Sequence, residues 1–500
     1  MTTTKTQQQA GRDPSAGTGL GQRRLGIPAL VFMIIAASAP LTVVAGGVTS
    51  NFAVTGLLGV PLSFILLGAV LVIFAVGYLA MSRHVRNAGA FYAYISRGLG
   101  KPAGVGSAWV ALLSYNAMQI GINGLFGFAL SSFLAGSMGL EIPWWVCSLA
   151  GWLIVGILGV NKVDLSAKVL GVLVALEFVV VIIYDVFAFG TAPEGISTAS
   201  LEPGSLFTTG VGAALAFSVA AFMGFESGAI YNEEVKDPRN TARRATYIAV
   251  VVIAAFYAFS AWAMTIAEGE SQVIGRSEEF GPDLMFVYFA DHAAVWFVDL
   301  ANLLFITSLL AALVAFHNVV ARYIFSLGRE NVLPAKLAAV SARTRAPLAG
   351  SIAQSVLALV VLVVFAVAGT GHEYGELFPV LTLFTWLTNT GAFGLVLLMA
   401  LTSFAVIGFF RRQPTRPGAW TTMVAPLLAG VSLTAVFGMI VANFDVLIGL
   451  EEPGMLSWLL PAIIVVPGLL GVLGAYWLRS ARPGVYAGIG RGGLDPEELD

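Results

Sequence analysis

The residues best suited to chemistry lie between positions 217 and 244, in the stretch FSVAAFMGFESGAIYNEEVKDPRNTARR. The first half is apolar enough for a membrane helix, but Gly224 weakens the helix and Glu226 places a costly carboxyl near mid-depth. A helix can break at membrane depth only where it packs inside protein or lines a cavity. A break beside an acidic group therefore predicts a binding site of the kind found at the centre of transporters, followed by a charged loop, NEEVKDPRN.

Pro40 is a second candidate, because it interrupts the apolar run IPALVFMIIAASAPLTVVAGGV in the first predicted span. Proline removes a backbone hydrogen bond and clashes with the preceding turn, so nearby carbonyls and amides could face a ligand. A simple proline kink is the alternative. Corresponding breaks in the first helix of two five-span halves are typical of inverted-repeat transporters, and they favour the binding interpretation.

Glu177 lies near the middle of the fifth predicted span, in VLVALEFVVV. A charged carboxylate at that depth costs on the order of 3 kcal/mol, so protonation and deprotonation could both occur near neutral pH. We predict a proton-coupling role for Glu177. A permanently protonated or amine-paired structural glutamate is the alternative, and Asp185, nearer the outer end, is interpreted as an interfacial group.

Three amides in the third predicted span, Asn116, Gln119 and Asn123, share one helix face because they are spaced three and four residues apart. They could hold neighbouring helices together, or Asn116 and Gln119 could line a substrate cavity. His317 in the eighth span is interpreted as a packed, hydrogen-bonded residue. Packing is also expected of a polar stripe in the tenth span, namely Thr382, Thr385 and Asn389.

The elements that position these residues are long apolar runs. The chain has 500 residues, of which 58% are hydrophobic and only 11% are charged, whereas about a quarter are charged in soluble domains. Runs of about 20 apolar residues predict an all-α polytopic membrane protein with twelve transmembrane helices, at residues 26–50, 57–81, 102–136, 143–160, 164–190, 205–231, 241–268, 288–327, 347–368, 375–410, 419–445 and 455–479.

Charge alternates between the predicted loops. Lysines and arginines concentrate on one side, and acidic residues on the other, where Arg276 is the exception. The positive-inside rule then places both termini in the cytoplasm of a multi-pass plasma (cell) membrane protein. Residues 1–22 and 480–500 are interpreted as disordered cytoplasmic tails, since the N-terminal stretch has no apolar signal-peptide core.

The sequence disfavours an enzyme. Its four histidines are scattered, it has no HExxH motif or paired cysteines, and the single Cys147 excludes an internal disulfide. We expect no metal, no other cofactor, no nucleic-acid partner and no ATP-binding loop. The expected partners are a small molecule, protons and the lipid bilayer, while the oligomeric state stays open. An amine sensor is less favoured, because the tails leave no room for a signalling domain.

Three motifs resemble those of the amino acid–polyamine–organocation permeases. FMGFESGAIYNEEVKDPRN is similar to the sixth-span pattern of that family, and NAGAFYAYISRGLG to its loop after span two, where the aromatic residues also suit an interfacial helix. ARYIFSLGRENVLPAKLAAVSARTRAP is similar to the exit of span eight. The motifs occur in the order and spacing of the family, and the hydropathy match covers about residues 23 to 480.

The resemblance implies a five-plus-five inverted repeat of the leucine-transporter type with two further helices. The first repeat would occupy residues 23–190, the second 205–411, and spans eleven and twelve 419–479. It also implies that a substrate meets both breaks. The implied and predicted substrate-binding residues are Ala37, Ser38, Ala39, Pro40, Leu41 and Thr42 in the first break, Phe222, Met223, Gly224, Phe225, Glu226 and Ser227 in the second, and Asn116 and Gln119 in span three.

Two departures from the family pattern matter. The first break reads Pro40, Leu41, Thr42 where the family often has a glycine-rich run, so the substrate need not be a standard α-amino acid. Some proton-coupled members have a lysine where this chain has Glu177, so that role transfers only as a hypothesis. The function that we expect is secondary-active import of an amino acid or related amine by alternating access. The alternative within transport is exchange of substrate for product without net proton flow.

Overall fold

A computed structural model describes residues 26–85, 90–161, 167–226, 240–344, 346–414, 416–450 and 452–490, without the side chains of residues 90 and 167–170. The described residues form helices, turns and loops but no strand, which confirms the predicted all-α membrane protein. Ten helices are long and apolar enough to cross a membrane. They are α1 (Ile27–Thr55), α2 (Val60–Met81), α3 (Lys101–Met138), α5 (Ala167–Thr191), α7 (Thr241–Glu268), α8 (Val295–Arg329), α9 (Leu348–Ala368), α10 (Gly375–Arg411), α11 (Trp420–Ala442) and α12 (Met455–Ala481).

Two of the twelve predicted spans contain shorter apolar helices, α4 (Trp144–Val160) and α6 (Val211–Phe222). Helix α6 ends early because the chain breaks after Phe222, as the glycine and the acidic residue predict. The predicted charged loop 232–240 lies outside the described residues, apart from Asn240.

Helix α3 lies at the centre of the bundle, packed against α8, α10 and α12. Glycines allow these helices to approach closely, as small residues do in membrane bundles. A Cβ on Gly106 would lie 2.8 Å from the carbonyl oxygen of Gly468 in α12, and one on Gly391 in α10 would lie 2.8 Å from that of Ser114. The glycine content of the chain therefore supports helix packing as well as helix breaks.

Other helices form the periphery. In the most apolar 18-residue stretch of each helix, only 22% is buried inside the protein in α9 and 28% in α12, against 72% in α10. The exposed side chains of α9 and α12 are mainly valine, leucine and tryptophan. Both helices therefore present an apolar surface over a length sufficient to cross a membrane.

The connections between helices form two groups, one at each end of the bundle, and hydrogen bonds join the members of each group. At one end, the Glu194 carboxylate accepts from Ser271, and the Ser132 hydroxyl donates to Asp283 at 2.6 Å. At the other end, Tyr92 donates to Glu330, and Lys101 donates to the carbonyl of Tyr486 at 2.8 Å. These two groups correspond to the acidic and the basic loops of the sequence.

Three local features differ from the sequence-based expectation. The aromatic residues of the short helix Ala90–Gly98 pack inward, with Tyr94 beside Tyr78, because the helix contacts α3 and α10. Residues 480–490 are ordered rather than a disordered tail, with a helix at Pro483–Gly488. Asp185 is buried and accepts a hydrogen bond from Ser260 of α7 at 3.0 Å, so it is not an interfacial group.

Candidate substrate site

Helix α1 breaks at Ala39. Its first half ends at Ser38, Ala39 takes the left-handed conformation (φ 47°), and its N–H bonds to the carbonyl of Ala36 at 3.1 Å. The helix restarts at Pro40 and continues as a wide π-type turn over Thr42–Val48 and as an α-helix over Thr49–Thr55. A non-glycine residue in this conformation is strained, and the proline without an amide explains why the regular ladder fails there.

The second break lies directly against the first. After Phe222 the chain leaves the helix at Met223, and Gly224 takes a φ of 106°, which side chains rarely adopt. A Cβ on Gly224 would lie 2.8 Å from the Cβ of Ala37. The two interruptions that the sequence predicts are therefore in contact, and only a glycine fits at their contact.

Glu226 is bonded within the break. Its carboxylate accepts hydrogen bonds from the hydroxyl of Tyr115 in α3 and from the N–H of Gly224, the latter at 3.0 Å. The hydroxyl of Tyr78 in α2 donates to the backbone carbonyl of Glu226 at 3.3 Å. These contacts hold the broken segment on α2 and α3.

Glu177 bonds to the start of the second half of α1. One carboxylate oxygen accepts the N–H of Leu41 at 3.2 Å and the hydroxyl of Ser308 in α8 at 2.9 Å. Thr42 donates to the same Ser308 hydroxyl at 3.1 Å. A carboxylate at the positive N-terminal end of a half-helix is electrostatically favourable, and here it joins α1, α5 and α8.

The end of the first half of α1 is held by α7. The hydroxyl of Tyr257 lies 3.1 Å from both the carbonyl and the hydroxyl oxygen of Ser38. The ring of Tyr257 packs against Phe64 and Phe222. Each half of α1 is thus anchored to a different neighbouring helix.

A cavity of about 50 Å³ adjoins the two breaks. Five of the sequence-predicted residues line it, namely Ala37, Ser38, Ala39, Thr42 and Met223. The remaining lining residues come from α1, α3, α6, α8 and α10: Val43, Gly47, Met118, Ile122, Phe217, Ala220, Ala221, Ala312, Phe316, Phe384 and Thr388.

The other predicted site residues that the structure describes lie outside this lining. Gln119 accepts a hydrogen bond from Gln354 of α9 at 2.6 Å, and Asn116 donates to the carbonyl of Leu112 at 2.7 Å, so both amides contact protein. Phe222 packs against Phe64, and Phe225 against Phe74. Pro40, Leu41, Gly224 and Glu226 form the backbone of the breaks, and Ser227 lies outside the described residues.

The polar residues that the sequence assigned to packing are bonded within the bundle. His317 lies 2.7 Å from the hydroxyl of Ser351 in α9. In α10, Thr382 and Asn389 donate to backbone carbonyls one turn earlier, as hydroxyls and amides in helices often do. Among the residues that the structure describes, no group of three His, Cys, Asp or Glu side chains could hold a metal ion.

Sequence reasoning missed most of the apolar lining. Phe217, Phe316 and Phe384 belong to three different helices, and no local pattern distinguishes them from other buried phenylalanines. Tyr115 and Tyr257 were also missed as partners of the breaks. The aromatic content of the chain contained no signal that could have selected them.

The fold is that of a multi-pass membrane transporter. A mutant of the manganese transporter of Eremococcus coleocola is similar in structure, with a TM-score of 0.52, 14% sequence identity, and coverage of 95% of this chain and 99% of that chain. The same transporter in complex with an aromatic bis-isothiourea substituted compound gives a TM-score of 0.54 at 13% identity, with the same coverage. At these identities the likeness shows the fold alone.

The sequence assigns the family. The model of the amino acid permease family matches residues 25–469, so this chain belongs to the amino acid permease family. No curated protein sequence matches it. The chain is therefore a transporter of small molecules and not an enzyme, as its sequence predicts.

Proposed function

We propose that this protein is a secondary-active importer of an amino acid or related amine. The observation that carries the proposal is the cavity beside two broken helices that contact each other at Gly224 and Ala37. Half-helix ends present backbone amides and carbonyls, which suit a carboxylate and an ammonium group. Transport would proceed by alternating access as the broken helices move against the rest of the bundle.

The architecture proposed for this function has twelve spans. Spans one to five (residues 23–190) and six to ten (205–411) would form the inverted repeat, followed by spans eleven and twelve (419–479). Both termini would be cytoplasmic in the plasma membrane. The grouping of basic loops at one end of the bundle supports this orientation.

Glu177 is the proposed proton-coupling group. Its carboxylate accepts from Leu41 and Ser308 and so holds the second half of α1 to α5 and α8. Hydrogen bonds to an ionised acceptor are stronger than those to a neutral one. Protonation of Glu177 would weaken this attachment and release the half-helix, which couples proton uptake to the change of access.

Replacement of Glu177 tests the coupling. In proteoliposomes supplied with a mixture of radiolabelled L-amino acids, we expect an inward proton gradient to drive accumulation by the parent protein. Glu177→Gln keeps the shape but cannot ionise, so we expect at least a tenfold loss of gradient-driven accumulation, with exchange against preloaded substrate retained.

The matched control is Asp185→Asn, which neutralises another buried carboxyl of α5 that bonds to Ser260 and not to α1. It should keep most of the gradient-driven uptake. Accumulation by Glu177→Gln at the parent level would contradict the coupling role. If the parent protein takes up substrate only into preloaded vesicles, the exchange alternative replaces proton-coupled import.

A further inference from the structure

The cavity beside the breaks has an apolar lining. Its larger side chains are hydrophobic or aromatic and come from α3, α6, α8, α10 and the second break: Met118, Ile122, Phe217, Met223, Phe316 and Phe384. Among the residues that the structure describes, no Asp, Glu, Lys, Arg or His side chain lines it. A ligand that fills this part of the cavity therefore meets hydrocarbon, aromatic rings and thioether groups.

Three hydroxyl side chains line the cavity, and each bonds to the protein. Ser38 donates to the carbonyl of Ile35 at 2.8 Å, Thr42 to Ser308 at 3.1 Å, and Thr388 to the carbonyl of Phe384 at 2.7 Å. These hydrogens already have acceptors, so the side chains offer little to a polar ligand tail. Polar recognition has to come mainly from other peptide groups at the breaks, because the Leu41 and Gly224 amides and the Ser38 carbonyl already have partners.

The two buried carboxyls nearest the breaks lie outside the cavity lining. Glu226 bonds to Tyr115 and Gly224, and Glu177 bonds to Leu41 and Ser308. A second positive charge on a substrate, such as the ε-ammonium of lysine or the distal ammonium of a polyamine, would find no carboxylate among the described residues that line the cavity. An unpaired charge in such surroundings is strongly disfavoured.

Small residues occupy the part of the lining that belongs to the breaks. Ala37 and Ala39 in α1, with Ala220 and Ala221 in α6, expose little side chain, so a ligand can approach the backbone there. One end of the cavity therefore suits the ammonium and carboxylate groups common to all amino acids. The remainder suits an apolar tail.

We propose that the substrate is a neutral amino acid with a large apolar side chain, branched aliphatic or aromatic, and not a basic amino acid or polyamine. This inference rests on the proposed function, because it assumes that the cavity is the transport site. The apolar lining then determines which amino acids are accepted.

Direct binding tests the substrate class. The purified full-length protein is titrated with unlabelled L-leucine, L-phenylalanine, L-lysine, L-glutamate and putrescine. For each compound, displacement of labelled L-leucine and the shift of the thermal midpoint are measured. We expect L-leucine or L-phenylalanine to bind at least about 100-fold more tightly than L-lysine or putrescine, because an unpaired buried charge is far costlier than a changed methylene.

The failures of the two proposals are distinguishable. Saturable binding and uptake of L-lysine or putrescine as strong as that of L-leucine would overturn the substrate class but leave an amino acid or amine transporter. Failure of all the probes to bind or to be transported would overturn the proposed function together with this inference.

Two cavity variants locate the apolar recognition. Phe217→Leu and Phe384→Leu replace rings that line the cavity with smaller side chains, so we expect the affinity for L-phenylalanine to fall about tenfold while that for L-leucine changes less. Phe259→Leu, on an exposed part of α7, is the control and should alter neither affinity. If the ratio of the L-phenylalanine affinity to the L-leucine affinity were the same in all three variants, the apolar tail would bind elsewhere and the inference would be overturned.

Discussion

Gly224 shows how one residue determines the contact between the breaks. Its φ of 106° is one obstacle to any side chain, and the 2.8 Å that would separate an added Cβ from the Cβ of Ala37 is an independent one. The sequence predicts a weakened helix at this position, but the close approach to Ala37 depends on the packing of α6 against α1.

We expect Gly224→Ala to destabilise the protein by about 2–4 kcal/mol and to reduce transport at least tenfold, because strain and overpacking add. The thermal midpoint in detergent and uptake into proteoliposomes measure the two effects. Gly139→Ala is the control, since Gly139 also has a positive φ (66°) but open space around it. If both variants lose the same stability, close packing at Gly224 contributes nothing.

Asp283 lies outside the spanning helices and confers a pH dependence on stability. Burial raises its pKa from 3.8 to about 6, the nearby Glu376 adds repulsion, and the hydrogen bond from Ser132 opposes the rise. The folded protein therefore holds this proton more tightly than the unfolded chain does. Between about pH 4 and pH 6 the unfolded chain releases the proton first, so the free energy of unfolding falls as the pH rises.

Asp283→Asn should remove this dependence while it keeps an acceptor for Ser132. We expect the variant to gain stability relative to the parent protein between about pH 4 and pH 6, by on the order of 3 kcal/mol at the upper end, with no further gain above. Thermal midpoints across this range measure the difference. The exposed Glu279→Gln in the same connection is the control, and a constant difference for Asp283→Asn at every pH would contradict the prediction.

At the scale of elements, the C-terminal helix Pro483–Gly488 closes one end of the bundle. Lys101 donates to the carbonyls of Tyr486 and Ala487, both at 2.8 Å, and its ammonium lies 5.0 Å from the centre of the Tyr486 ring. The N–H of Gly490 lies 2.9 Å from the Tyr92 hydroxyl and 3.0 Å from the Glu330 carboxylate. This segment joins two of the motifs on which the family resemblance rests.

Truncation after residue 482 should lower the thermal midpoint by a few degrees, because it removes about 2 kcal/mol of hydrogen bonds that include a buried carboxylate. Truncation after residue 490 keeps every one of these contacts and serves as the control. The prediction fails if the shorter protein melts at the same temperature as the control.

At the scale of the whole molecule, the loops separate by charge into two ends, and the positive-inside rule orients them. Cys147 is buried in α4, so a Cys147→Ser background allows single cysteines to report sidedness. We expect an impermeant maleimide to label Glu373→Cys in intact cells and Ala342→Cys only after permeabilisation, since these exposed positions lie in the acidic and the basic loops. The opposite pattern would place both termini outside.

Much of the fold could be predicted from the sequence because its causes are local. Apolar runs locate the helices, Pro40 and Gly224 locate the breaks, and basic residues identify the loops of one end. Hydropathy, the steric effect of proline and the flexibility of glycine all depend on the residue itself and its neighbours in the sequence. The family motifs extend this interpretation to a transporter, which the family match confirms. The ordered segment 483–490 was missed because its partners are distant in sequence.

Tertiary structure decided which residues meet. Leu41 and Glu177 are 136 positions apart, and Tyr115 and Glu226 are 111 apart. Helical periodicity assigns a residue to a face, but it does not say which helix packs there. For that reason the sequence alone determined that this chain crosses the membrane with two interrupted helices, whereas packing decided that Gln119 contacts α9, that Glu226 turns to Tyr115, and that phenylalanines line the cavity.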